Sequence, residues 1–139
     1  VDKGFSIDAL KHSHESQTHS LGLIIQSLNE KGIEFDVTTS GESFTGENDK
    51  EGAKEHSKYD LIISAGGDGT FLRAALNNDG STPQVGINTD PSRSRGQLCV
   101  DFAHNLSRQL DRLKAGNYTW VRRSRIKTTR VYVDGRGGG

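Results

Sequence analysis

From Ser20 onward the apolar residues Leu21, Ile24, Ile25 and Leu28 recur at helical spacing, and Gly32 stands where a left-handed helix cap belongs. This spacing predicts a helix that ends near Lys31. Ile33, Phe35 and Val37 then alternate with Glu34, Asp36 and Thr38, the period of two expected of a strand. Residues 39–57 are polar and charged, with glycine at 41, 46 and 52, and predict a loop or a poorly formed helix. Residues 59–65, YDLIISA, have the continuous apolar centre of a strand buried on both faces of a parallel sheet. Gly66 to Thr70 break that run, and Phe71, Leu72, Ala74 and Ala75 open a helix that fades at Asn77 and Asn78. A short third strand is expected over residues 85–88, then a polar loop over 89–96. An amphipathic helix follows over 102–113, with Phe102, Leu106, Leu110 and Leu113 on one face and Gly116 as its stop. Residues 119–133 alternate loosely and read as strand material with different neighbours. The order of elements is that of an α/β layer built on a parallel sheet, and no internal repeat interrupts it.

Length and composition narrow this picture. The 139 residues suffice for one ordinary domain but would be cramped for two. The longest mostly apolar stretch, residues 21–25, is far too short to cross a bilayer, and nothing at Val1 reads as a signal peptide. The one cysteine, Cys99, permits no internal disulfide and no zinc cluster. With no methionine in the sequence, Val1 is not expected to be a native translation start, and the chain is expected to be processed, a fragment or discontinuous.

Net charge is zero but divided. Residues 1–60 hold 6 basic and 12 acidic side chains, whereas residues 61–139 hold 12 basic and 6 acidic ones. The second half therefore suits anionic ligands. Its arginines do not form the dense aromatic-interleaved run of a nucleic-acid groove, so phosphate on a small molecule is the expected partner. His12, His14 and His19 lack a carboxylate or cysteine framework and are not read as a metal site. Trp120 with Arg122, Arg123 and Arg125 offers either an anion-binding face or, as preferred here, a packing surface.

Of the 17 glycines, Gly135 and Gly137 to Gly139 form a tail, and three lie in Gly66-Gly67-Asp68-Gly69-Thr70. That pentapeptide follows a buried strand and precedes a helix, where ligands of open α/β sheets bind. Glycines let the main chain turn tightly and bring its N–H groups up to a phosphate, and the helix behind them favours negative charge. Asp68 is the informative residue, because a carboxylate beside a phosphate must have a task. It can take the proton of an attacking hydroxyl or hold a magnesium ion directly or through water. Thr70 is expected to cap the following helix or to offer its hydroxyl to the ligand. The spacing is neither that of the P-loop nor that of the dinucleotide fingerprint.

GGDGTFLRAA resembles the NAD kinases, which share this loop with diacylglycerol and sphingosine kinases and with phosphofructokinases. Val85-Gly86-Ile87-Asn88-Thr89 resembles the NAD kinase strand and turn, and the Asp90-Pro91 turn with its Ser/Arg/Gly loop is similar to the divergent mitochondrial branch. The IIQSL helix, KGIEF and WVRRSRI also resemble that branch, so the likeness covers roughly residues 20–133.

The resemblance implies a Rossmann-like parallel-sheet domain of the NAD kinase and diacylglycerol kinase type over residues 1–117. Residues 118–139 would then hold the first strand or strands of a largely missing all-β domain, ending in the glycine tail. It implies transfer of the ATP γ-phosphoryl group to the 2′-hydroxyl of the NAD adenosine ribose, with Mg2+ or another divalent cation. Asp68 would be catalytic, Gly66, Gly67, Gly69 and Thr70 would lie at the phosphates, and Asn88, Thr89, Arg93 and Arg95 would lie beside the nucleotide. No residue is assigned as a protein metal ligand. A mitochondrial matrix location, failing that a cytoplasmic one, and a homodimer without nucleic-acid or membrane partners complete the expectation. The Asn-Glu pair of the family's second domain has no counterpart here, since Asn29-Glu30 precedes the loop. The isolated chain is therefore expected to be weak or inactive. Two alternatives stay open: a lipid kinase of the diacylglycerol type, and a non-catalytic nucleotide-binding or dimerisation module.

Overall fold

A computed structural model describes residues 7–38, 59–93 and 95–132. The chain runs α1 (Ile7–Glu30), β1 (Ile62–Ala65), α2 (Asp68–Leu76), β2 (Gln84–Asn88), β3 (Asp101–Phe102), a 3-10 turn (Ala103–Asn105) and α3 (Leu106–Lys114). The strands form one parallel sheet in the order β1-β2-β3. The α/β expectation holds.

The register decides which face each strand residue serves. Ile63 pairs with Val85 and Ala65 with Ile87, while Ile62 pairs with Gln84 and Ser64 with Gly86. Side chains alternate along a strand, so the first two pairs share one face and the last two share the other. Ile63, Ala65 and Ile87 pack against Ile24 and Leu28 of α1 and Leu106 and Leu110 of α3, with Ala103 between them. Ile87 has 0% of its surface exposed and Leu106 has 1%. Burial on that scale contributes about 1.5–3 kcal/mol per large aliphatic side chain, so this layer holds the fold together. On the other face α2 lies close to the sheet, where Gly86 meets the Phe71 ring and the Gln84 side-chain amide donates to the Phe71 carbonyl at 2.9 Å.

Several boundaries differ from the pattern. Helix α1 begins at Ile7, well before the apolar stripe that starts at Leu21. It ends as expected: Ile33 N–H reaches the Leu28 carbonyl and Gly32 N–H that of Asn29, which satisfies the last carbonyls. The alternating residues 33–37 form no strand among the described residues. Ile33 and Phe35 still pack against the α1/α3 cluster, so their alternation marks a buried side without a ladder partner. Phe102 belongs to β3 and is exposed, and Ala103 takes the buried place expected for it. Residues 119–132 form no strand either, and Val121, Ile126, Val131 and Tyr132 are exposed. A strand needs a neighbour for its N–H and C=O groups, and none of the described strands lies beside this segment. Residues 39–58, Ser94, Val133 and the glycine tail lie outside the described residues. Among the described residues no helix is long and apolar enough to cross a membrane.

Candidate active site

The site forms where β1 and β2 end. Gly66 N–H donates to the Ile87 carbonyl at 3.0 Å, extending the β1/β2 ladder by one bond, and the chain then folds over into α2. A Cβ at Gly66 would lie 2.3 Å from Thr70 Oγ1, so a side chain there would displace the first turn of α2. Gly67 is the N-cap of α2, and no side chain caps it. Thr70 is thus not the cap expected from sequence. The helix begins two residues earlier, at Asp68, and the Thr70 side chain packs toward Gly66. The first-turn N–H groups of Asp68, Gly69 and Thr70 have no intrahelical acceptor by helix geometry, which suits a phosphate at this end. Gly69 is exposed, and a Cβ there would meet only the Arg73 guanidinium, at 3.8 Å.

Asp68 is held from across the site. Its Oδ1 accepts the Leu98 N–H at 2.8 Å, and its Oδ2 accepts the Gln97 N–H at 3.2 Å. Each oxygen keeps a further lone pair, so the carboxylate is fixed in direction and still able to accept from a hydroxyl or a cation. Its place in the first helical turn is favourable for a negative charge.

The turn after β2 forms the inner wall. Asn88 and Thr89 are each 2% exposed, and Asp90 is 5% exposed. Asn88 Oδ1 accepts the Asp90 N–H, and Asp90 Oδ1 accepts the Ser92 hydroxyl. The Thr89 carbonyl accepts two hydroxyls from α1, Ser20 at 2.9 Å and Ser16 at 3.3 Å. Gly96, at φ +60°, lies against the Asn88 side chain, and the chain continues directly into the two amides that hold Asp68. The structure therefore brings Gly66, Gly67, Asp68, Gly69, Thr70, Asn88 and Thr89 to one end of the sheet. Arg93 and Arg95 sit on the exposed side of the loop between Asn88 and Gly96.

Cys99 closes the loop, with its thiol 3.7 Å from the Gly66 carbonyl. Burial pushes that thiol's pKa up, and the Asp68 charge adds to the shift, which favours the protonated thiol at neutral pH. Elsewhere, Tyr118 and Trp120 meet edge to face at 5.0 Å, and Arg125 donates to the Asn78 carbonyl at 2.7 Å. His12, His14 and His19 are exposed on α1, and among the described residues no group of three metal-ligating side chains gathers.

The sequence pattern did not single out Gln97 and Leu98, which act through their backbone, or Ser16, Ser20 and Arg73. Only Arg73 left a signal, standing four residues after Gly69 on the same helix face.

A family model described as the Diacylglycerol kinase catalytic domain matches residues 11–88, from within α1 to the end of β2. The chain belongs to that family. The match covers the glycine loop and Asp68 and stops at Asn88. Among curated relatives, "NAD kinase 2, mitochondrial" of Mus musculus is 38% identical over 97% of this chain and 28% of its own length. The Homo sapiens protein of that name is 37% identical over 97% of this chain and 29% of its own length. "NADH kinase" of Arabidopsis thaliana is 35% identical over 48% of this chain and 26% of its own length. The resemblance to NAD kinases seen in the motifs thus extends along nearly the whole chain, which spans less than a third of the length of these relatives.

Proposed function

We propose that this chain supplies the phosphate-binding and catalytic half of an NAD kinase, which moves the γ-phosphoryl group of ATP to the 2′-hydroxyl of the NAD adenosine ribose. The observation that carries the reading is Asp68, set between glycines at the start of α2 with both carboxylate oxygens oriented by main-chain amides. Phosphoryl transfer asks a protein for positioning and charge stabilisation, and this end of the sheet offers both. The backbone at half-buried Gly67 and exposed Gly69 and the start of α2 receive phosphate oxygens, with Arg73 beside them. Arg93 and Arg95 contact phosphates from the loop. Asn88 and Thr89, being buried, shape the floor beside the nucleotide.

In the transfer the ribose 2′-oxygen forms a bond to the γ-phosphorus as the bond from that phosphorus to the bridging oxygen of ADP breaks. The hydroxyl proton passes to the Asp68 carboxylate. A divalent cation brought in with the ATP phosphates would offset their charge while Asp68 keeps the role of base. We further assign the complete protein to mitochondria, by analogy with the relatives that carry the mitochondrial name; a homodimer is proposed from the family resemblance alone. A lipid acceptor is the competing reading, since the matching family is described by diacylglycerol. Identity to NAD kinases along 97% of the chain favours NAD.

The test is Asp68→Asn in the full-length protein, with NADP formation followed from NAD and ATP. Turnover is expected to fall about 10²- to 10⁴-fold while NAD binding by calorimetry persists. Unchanged turnover would refute the catalytic role, and phosphorylation of diacylglycerol in preference to NAD would transfer the assignment to the lipid kinases.

A further inference from the structure

We infer that the turn Gly96-Gln97-Leu98 is the positioning element for Asp68, with Gly96 as the residue that sets its register. The inference rests on Asp68 being the group that meets the acceptor hydroxyl. Three observations converge on it. First, the two carboxylate oxygens of Asp68 each receive one main-chain N–H, from Leu98 and from Gln97, which fixes the carboxylate plane as well as its place. Second, Cys99 N–H returns to the Gly96 carbonyl at 2.9 Å, so the two donating amides sit inside a closed turn. Third, the start of that turn abuts the inner wall: a Cβ at Gly96 would come within 2.6 Å of Asn88 Nδ2 and 3.2 Å of Asn88 Cβ. Asn88 is nearly fully buried and holds the Asp90 N–H, so it has little room to yield. A residue other than glycine must also bear the left-handed φ of +60° at that position. Any side chain at 96 therefore pushes the turn away from Asn88 and carries the two amides off the Asp68 carboxylate.

Gly116 provides the matched control. It has φ +72° with nothing within 4 Å of its would-be Cβ and follows α3, on the face of the sheet opposite α2, so Gly116→Ala imposes similar backbone strain without touching the 96–98 turn. In the full-length protein, Gly96→Ala is expected to lower kcat about 10²-fold, the scale of an ångström-sized displacement of a reacting group, and to move KM for NAD and ATP less than about threefold. Gly116→Ala should leave both constants at wild-type values. A wild-type kcat for Gly96→Ala, or a raised KM with kcat intact, overturns the proposal.

The hydrogen bonds themselves are read without activity, by amide exchange of Gln97 and Leu98 in wild type and in Asp68→Ala. Exchange at both amides should accelerate about tenfold or more once their acceptor is gone. Unchanged exchange overturns the proposal even if Gly96→Ala fails to fold. Full turnover by Asp68→Asn would instead remove the catalytic reading, and the positioning role with it, while leaving the exchange result standing.

Discussion

Gly86→Ala is the substitution that most directly tests how the two halves of the site are held together. Gly86 lies in β2 on the α2 side of the sheet, and it is there that helix and loop approach most closely. A Cβ built on it would come 2.9 Å from the Phe71 ring, 3.2 Å from the Cys99 Cα and 3.2 Å from the Cys99 sulfur. The ring can swing outward, because Phe71 is only half-buried. The Cys99 Cα cannot move alone: its own N–H is bonded to Gly96 and the next N–H, of Val100, to the Gly86 carbonyl at 2.9 Å. Overpacking of this kind costs about 1–3 kcal/mol, and replacing glycine in a strand returns about 0.5–1 kcal/mol of unfolded-state entropy. The net expectation is a loss of about 1–2 kcal/mol, or a urea midpoint lower by about 0.5–1 M at an m-value of about 2 kcal/mol/M. Far-UV circular dichroism during urea unfolding reads it. Gly86→Ala with Phe71→Leu should recover part of the loss, because the ring clash is relieved and the Cys99 backbone clash is not. An unchanged or raised midpoint for Gly86→Ala would refute the close packing of α2 and the 96–99 turn on β2.

Two further outcomes concern groups that hold the fold together. Burial pushes the Asp101 carboxyl's pKa up, but hydrogen bonds from Asn105, the Phe102 N–H and Gln109, together with the nearby His104 charge, outweigh it and leave it below the usual carboxylate range. A depressed folded-state pKa stabilises the fold above the unfolded value of about 3.9, and that contribution is lost as pH falls through the folded value. Wild type should therefore outlast Asp101→Asn in urea at neutral pH and lose the advantage in acid; parallel pH profiles for the two proteins would contradict this. Ser16 and Ser20 share one acceptor, the Thr89 carbonyl, so Ser16→Ala or Ser20→Ala alone should cost a few tenths of a kcal/mol while the double substitution costs about 1–3 kcal/mol. Strictly additive losses in urea unfolding would show that the two hydroxyls do not stand in for each other.

Sequence revealed those parts of the fold whose cause is local. The apolar run before GGDGT needs both faces covered, so it could be placed in a parallel sheet, and the glycines mark the tight reversal into a helix. Gly32 and Gly116 mark helix ends because their N–H groups return to carbonyls three residues back. The first half of α1 was not legible, because residues 7–19 carry no continuous apolar stripe for burial to reveal. Ser16 within that stretch and Ser20 just after it reach the Thr89 carbonyl 73 and 69 residues away, and serines on a helix look like solvent-facing residues. Residues 33–37 show the opposite failure. Period two reports which side chains are buried, and Ile33 and Phe35 satisfy it by packing on helices.

The same division runs through the site itself. Asp68, the side chain that the proposed function places at the acceptor hydroxyl, is legible because a carboxylate set among glycines at the start of a helix needs explaining. The groups that orient it are main-chain amides 29 and 30 residues further on, and any residue but proline can supply one. What the turn does demand by residue type is glycine at 96, where φ is positive and Asn88 fills the space a side chain would take. Gly96 looked like the end of a polar loop because the constraint upon it comes from Asn88, and the family match itself ends at that residue. The family loop thus brings the carboxylate, and the segment beyond residue 88 aims it. Variation between Asn88 and Cys99 should therefore change turnover while Asp68 and its glycines stay intact.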